Sequence, residues 1–215
     1  MILTNYALDS HPCTIETFPT IDSTQTLVCG TYELKDEGKV TEYRTGTISL
    51  INISIQSPSD HDKVAVSQID ILSQLNYEPS GGVLDMKTID DGHVITAMSC
   101  GSVHVFDTQL HMNLQQKTTF NQPNEGLALS VDVSNSTSFT EGSFICTSTQ
   151  SGSIFVYETK KSGISQLLHL QEAHMFSSQP MPVWIVAMNE HCNSQIVSGG
   201  DDCKLKVTEG STAIS

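Results

Sequence analysis

A chain of 215 residues with 38% hydrophobic content can bury a sizeable core, and its composition is not that of a disordered polymer. Ten Lys+Arg against 24 Asp+Glu give a formal charge of −14, which argues against a nucleic-acid binder or a protein drawn to an anionic membrane and favours cationic partners. No run of 18 apolar residues occurs, and the opening M-I-L-T-N-Y-A-L-D-S has no signal-peptide pattern, so the sequence reads as cytoplasmic.

The predicted elements are short strands rich in β-branched residues and punctuated by Gly, Ser and Asp. The first unit holds T-I-E-T-F from Thr14, L-V-C-G-T-Y from Leu27 and G-T-I-S-L-I from Gly46. The second holds V-L-D-M-K from Val83, V-I-T-A-M-S from Val94 and G-S-V-H-V-F-D from Gly101. In the third come A-L-S-V-D-V from Ala128, F-I-C-T-S-T from Phe144 and G-S-I-F-V-Y from Gly152. The fourth has W-I-V-A-M from Trp184, I-V-S-G-G-D from Ile196 and C-K-L-K-V from Cys203. Fainter outer strands are expected around Val64–Ile71, Leu114–Thr119 and Gln166–Leu170, while the polar stretches Gln56–Lys63 and Ser134–Gly142 read as loops. No helical stripe is present.

Positions 46, 101, 152 and 203 recur every 51 to 55 residues. Such repetition of one strand–turn–strand unit predicts an all-β chain, a partial β-propeller with about four blades of a larger ring. In this alignment Cys29, Thr96, Cys146 and Ser198 occupy equivalent strand positions. The fourth unit also carries His174 before its inner strand, Ser198 on the next strand and Asp202 in the tight turn that follows. In WD-repeat blades residues so placed form a carboxylate–imidazole–hydroxyl chain that holds the strands in register. Such a chain normally ends on a Trp, where this sequence has Thr208. The expected organisation is a partial propeller over residues 1–207 followed by an irregular tail, 208–215, as in a truncated product of a longer protein.

Several segments together resemble one family. These are L-D-S-H-P-C-T-I-E-T-F-P, L-V-C-G-T-Y-E-L, V-L-D-M-K, L-A-L-S-V-D-V-S and Q-E-A-H with V-W-I-V-A-M-N and I-V-S-G-G-D-D, the C-G-T-Y-E-L and S-G-G-D-D pieces being the most specific. The wording is similar to the WD-repeat diphthine methyl ester hydrolases, often filed as diphthine methyltransferase. The sequence departs from that pattern where Phe18, Thr88 and Val133 stand at inner-strand ends that usually carry Trp. The resemblance implies a carboxylic ester hydrolase that removes the methyl ester from over-methylated diphthine on translation elongation factor 2, ahead of the final amidation to diphthamide. Its substrate carries a quaternary ammonium, and it implies no cofactor. Carboxylates and an aromatic face suit such a cation, and Glu33, Asp85, Asp201 and Trp184 fall near strand ends or turns that can share one rim.

No G-x-S-x-G elbow and no H-E-x-x-H is present, so local hydrolase signatures are missing. Candidate catalytic residues are Glu33, His174 and Asp201, with Trp184 and Asp85 as candidate substrate contacts; His174 also fits the blade network. The six cysteines, Cys13, Cys29, Cys100, Cys146, Cys192 and Cys203, form no C-x-x-C pair and read as reduced, with Cys29 and Cys146 as small core residues. His11, His104, His111 and His191 share no metal spacing and read as surface or loop histidines. A second function class stays open, a noncatalytic interaction scaffold or inactive fragment, since this fold serves many roles.

Overall fold

The computed structural model describes residues 6–8, 10–19, 24–35, 43–56, 65–77, 81–109, 111–122, 125–134, 137–189 and 191–209. Among them every regular element is a strand and every pairing is antiparallel. Blade one is the sheet β1 (His11–Thr17), β2 (Thr24–Lys35), β3 (Tyr43–Gln56), β4 (Ala65–Tyr77). Blade two is β5 (Val83–Ile89), β6 (His93–Met98), β7 (Ser102–Asp107), β8 (Gln115–Asn121), and blade three is β9 (Ala128–Val133), β10 (Phe144–Thr149), β11 (Ile154–Lys160), β12 (Gly163–Leu170). A two-residue hairpin, β13 (Met175–Phe176) with β14 (Gln179–Pro180), precedes blade four, whose sheet is β15 (Val183–Asn189), β16 (Cys192–Gly200), β17 (Leu205–Glu209). The expected outer strands are present as β4, β8 and β12; the fourth blade has no counterpart among the described residues. Strand β17 runs through Thr208 to Glu209, two residues beyond the expected end at Val207.

Blades two and three are apolar on both faces because each is buried between two neighbours. Phe18, Val28, Ile48 and Leu50 of blade one close on Val83, Met86, Val94, Met98 and Phe106 of blade two. Ile95, Ala97, Val103 and Val105 on blade two's other face meet Val131, Val133, Ile145, Phe155 and Tyr157 of blade three. Cys146, Ile154 and Val156 then meet Val183, Val186, Met188 and Ile196 of blade four. Each side chain enclosed this way contributes about 1.5–3 kcal/mol.

The strand pairings correct one equivalence. Ser198 pairs with Val186, Thr96 with Met86 and Cys29 with Ile15, but in blade three the residue paired with Val131 is Thr147, and Cys146 pairs with Asp132. Phe144 opposite Glu158 corresponds to His93 opposite Asp107 rather than to Val94, so the motif slips by one. A one-residue slip turns a side chain to the opposite sheet face. Cys146 is therefore core on the blade-four side, and Thr147 takes the place of Ser198.

A second regularity lies on the inner strands. The β1 ladder skips Cys13, β5 skips Leu84, β9 skips Leu129 and β15 skips Trp184. A bulge at one register in all four blades re-aims one side chain at the same end of each inner strand. Glycine recurs for a steric reason at the turn into β7 and β11. Gly101 and Gly152 have φ of +81° and +89°, and a Cβ there would lie 2.3 Å from the Gly126 carbonyl oxygen and 2.9 Å from that of Met181. The next blade's entry loop passes too close for a side chain. Cys203 occupies the same position in blade four, with φ +60° and an exposed side chain.

His104, expected at the surface, is buried on β7 at the position that Phe155 fills in blade three. The misreading arose because V-H-V alternation gives no clue that both sheet faces are covered. Burial pulls its pKa down from 6.5 to about 4, partly offset by a hydrogen bond with Gln116, so the ring is neutral near pH 7. An unfolded imidazole takes up a proton that the folded one refuses, so stability is lost as pH falls from about 6.5 to about 4. His104→Phe should flatten that loss in urea unfolding at pH 7 and pH 5; an unchanged difference between the two would contradict the assignment.

Candidate functional site

Three contacts between successive inner strands set their direction. The Thr88 hydroxyl donates to the Thr17 carbonyl at 3.1 Å, the Val131 N–H donates to Asp85 Oδ2 at 3.0 Å and the Met188 N–H donates to Asp132 Oδ2 at 2.7 Å. Each joins residues at the same register position or one apart, so β1, β5, β9 and β15 run the same way. Between them lies a cleft of about 230 Å³ whose polar lining is Glu16, Asp85, Lys87, Ser130 and Asp132. Lys87 Nζ stands 3.9 Å from Asp132 Oδ1.

Asp85, read from sequence as a substrate contact, is engaged inside this cleft. Its Oδ2 also accepts the Ser130 hydroxyl at 2.8 Å, and Oδ1 accepts the Met86 N–H at 2.9 Å. Burial raises its pKa, opposed by those hydrogen bonds and by Lys87. The carboxylate staples blade two to blade three. Asp132 repeats the device toward blade four, while in blade four the corresponding positions are Ile185 and Ala187, which offer no side-chain acceptor. Glu16, Lys87 and Asp132 escaped the sequence reading. Their signal was a charged residue at the same register of three otherwise apolar inner strands.

Trp184 and Asp201 are brought together. The bulge turns the indole outward, 56% exposed, and its Nε1–H donates to Asp201 Oδ1 at 2.6 Å. Because Val183 pairs with Gly200, the first turn residue after β16 sits beside the start of β15. One edge of the indole is fixed by a carboxylate while its ring stays exposed. Glu33 lies at the same end of blade one, opposite Thr45, but in a separate cleft of about 370 Å³ with Ser10, Lys35 and Asn76. The lining of that cleft includes none of the other candidates.

His174 is wholly enclosed, with Nδ1 2.6 Å from Asp202 Oδ1 and Nε2 2.9 Å from Ser198 Oγ. Both ring nitrogens are occupied, which leaves none for a substrate. The chain extends to Lys206, whose Nζ is 3.5 Å from Asp202 Oδ2 and donates to the Ala173 carbonyl at 2.5 Å. Blade three substitutes an amide for the imidazole: Gln122 reaches Thr147, the Ser198 equivalent, and Ser151 in the turn bonds Glu125.

The thiols of Cys29 and Cys146 are buried, and burial pushes both pKa values up, so neither is a ready nucleophile. Cys100 is exposed, its Sγ 2.8 Å from Ser102 Oγ, which lies 2.8 Å from His104 Nε2. This chain lies outside both clefts described above. Among the described residues no group of three His, Cys, Asp or Glu side chains stands ready to hold a metal ion.

The fold defined by these sheets is a WD-repeat β-propeller in part, and solved structures share it. A chain of the COPII outer coat vertex on membranes superposes with TM-score 0.61 at 15% identity, covering 95% of this chain and 49% of its own. A chain of the mitotic checkpoint complex gives 0.54 at 13% identity, covering 99% and 57% respectively. No family model matches. In sequence the chain is similar to a curated protein of Dictyostelium discoideum named diphthine methyltransferase homolog, 27% identical over 192 residues. That match covers 84% of this chain and bears out the resemblance read from its motifs; the chain spans about half, 49%, of the relative's length.

Removal of the His174 ring leaves a buried carboxylate without its closest partner, so His174→Ala should cost about 3 kcal/mol or more, and Ser198→Ala about 1 kcal/mol. Chemical denaturation would check both. Burial alone would raise the Asp202 pKa, yet hydrogen bonds from His174 and the Lys204 N–H and the charges of His174 and Lys206 bring it down from 3.8 to about 2. A depressed carboxylate contributes stability above about pH 4 that disappears as pH falls toward 2. Asp202→Asn should remove that acid-dependent component; a wild-type-like stability difference between pH 4 and pH 2 would exclude it.

Proposed function

We propose that this chain acts in diphthamide biosynthesis as a methylesterase, hydrolysing the methyl ester of over-methylated diphthine on translation elongation factor 2 in the cytoplasm. The similarity to the diphthine methyltransferase homolog supports the pathway. The geometric observation that carries the substrate reading is the Trp184–Asp201 pair, an exposed indole held at its edge by a carboxylate 2.6 Å away. A trimethylammonium group is attracted to an indole face, and a neighbouring carboxylate strengthens the local negative potential. The formal charge of −14 favours the encounter with a cationic modified side chain.

Hydrolysis also needs a nucleophile or activated water. The enclosure of His174 removes it from direct contact with substrate. Asp201 and Glu33 remain as carboxylates at the same end of the array, of which Asp201 stands beside the proposed cation site. The commitment of His174 and the burial of Cys29 and Cys146 favour a second reading, in which the same rim binds the modified protein without turning it over.

The test is methanol release from methylated elongation factor 2 by the purified chain, with mass spectrometry of the modified peptide. Loss of the methyl ester is expected, and Trp184→Ala should lower kcat/KM roughly fivefold, the equivalent of about 1 kcal/mol at an exposed cation site. Binding of the modified factor with no methanol released would select the noncatalytic reading. Absence of both binding and turnover would overturn the proposal.

A further inference from the structure

Strand β7 opens, on the face that carries Phe106 against blade one, with a set of side chains that no other blade repeats. Residues two apart on a strand point the same way, so C-G-S-V-H brings Cys100, Ser102 and His104 into one row. Cys100 Sγ is 2.8 Å from Ser102 Oγ, which is 2.8 Å from His104 Nε2. The row leads from surface to core: Cys100 is exposed, while Ser102 and His104 are 4% and 7% exposed. At the positions of Cys100 and His104 the other blades carry Thr45 and Ser49, Ser151 and Phe155, and Asp202 and Lys206. Thiol and imidazole therefore meet in blade two alone. That blade has a neighbour on either side, so the burial of the imidazole belongs to the interior of the array.

A thiol, a hydroxyl and an imidazole in this order form a proton path with a base at its buried end, the arrangement by which a weak nucleophile is activated. We propose that Cys100 is an acyl-accepting nucleophile, its proton carried by Ser102 and His104, that takes the acyl group of an activated carboxylic ester. Cys100 Sγ bonds to the ester carbonyl carbon as its proton passes to Ser102 Oγ and the Ser102 proton passes to His104 Nε2. The adduct then collapses with loss of the C–O bond to the leaving group, and the proton returns along the row to the departing alcohol. The products are a thioester on Cys100 and one alcohol, with no change of oxidation state. Only Cys100 touches the reacting carbon; Ser102 and His104 act through it.

Thr96 and Thr119 flank His104 on β6 and β8, and what acts on its ring is burial and the Gln116 side chain, with no charged group among the causes. The ring is in its accepting form at pH 6 as at pH 7, because burial holds its pKa down to about 4. An unassisted thiol reacts instead through its thiolate, whose share rises about tenfold per pH unit below its pKa.

The experiment treats the full chain with p-nitrophenyl acetate and follows acetylation of each cysteine by mass spectrometry. Cys203, also exposed but with its Sγ against the Asp201 carbonyl at 3.9 Å, is the reference within the same molecule. Cys100 should be acetylated roughly a hundredfold faster than Cys203 at pH 6, the low end for a positioned general base. From pH 6 to pH 7 the Cys100 rate should stay nearly constant while that of Cys203 rises about tenfold. Ser102→Ala and His104→Phe should each bring Cys100 to the Cys203 rate and pH slope, whereas Ser102→Thr should retain the faster reaction. Phe155 and Thr47 fill those positions in blades three and one, so His104→Phe and Ser102→Thr suit the fold. Equal rates at Cys100 and Cys203 in the wild type, or a Cys100 rate that survives His104→Phe, would overturn the proposal. Neither result bears on the methylesterase reading, whose cation site stands on blade four.

Discussion

A sheet of three or four short strands with apolar residues on both faces cannot hold itself together in water; it needs a second sheet against each side. The rest of the structure follows from that requirement. It explains why β6, β7, β10 and β11 are buried along nearly their whole length, and why valine and isoleucine occur on both faces rather than alternating with charge. Stability in such an array is a sum of blades and of the contacts between them, so the value of each blade depends on its neighbour.

Apolar contact alone does not fix how far one blade is rotated or shifted against the next. Polar groups supply that. Asp85 and Asp132 reach across to a backbone N–H of the following inner strand, and His174 bridges the entry to blade four with Ser198 and the Asp202 turn. Hydrogen bonds are directional where dispersion is not, and a buried carboxylate that loses its donor is costly. These groups act as register pins within an otherwise greasy stack. The same requirement limits the candidate site, because His174 and Asp85 are already engaged in holding strands and blades together.

Strand order and blade number were legible because a small residue at positions 46, 101, 152 and 203 repeats before each alternating stretch. The His174 network was legible because its three members sit at characteristic offsets in one blade. Cys146 was misplaced because F-I-C-T-S-T matches its neighbours equally well one residue out of step, and only strand pairing resolves which residue faces which side. His104 was misjudged for a related reason: burial on both faces leaves no polar–apolar alternation to read. Asp85 reads as a substrate contact in the sequence since no local pattern reveals an acceptor whose donors, Ser130 and Val131, lie 45 and 46 residues away. The pairing of Trp184 with Asp201 depends on antiparallel return of the chain across 17 residues and was only implicit in the shared rim.

The repeated bulge has a consequence for how such a surface can change over time. Cys13, Leu84, Leu129 and Trp184 stand outside the ladder, so replacing any of them leaves the inward and outward alternation of its strand intact. Side-chain identity at that end of the array is thereby uncoupled from strand register, while Leu129, which is buried, still contributes packing. A thiol, an indole and two aliphatic groups accordingly occupy one register of the four blades with no change of architecture.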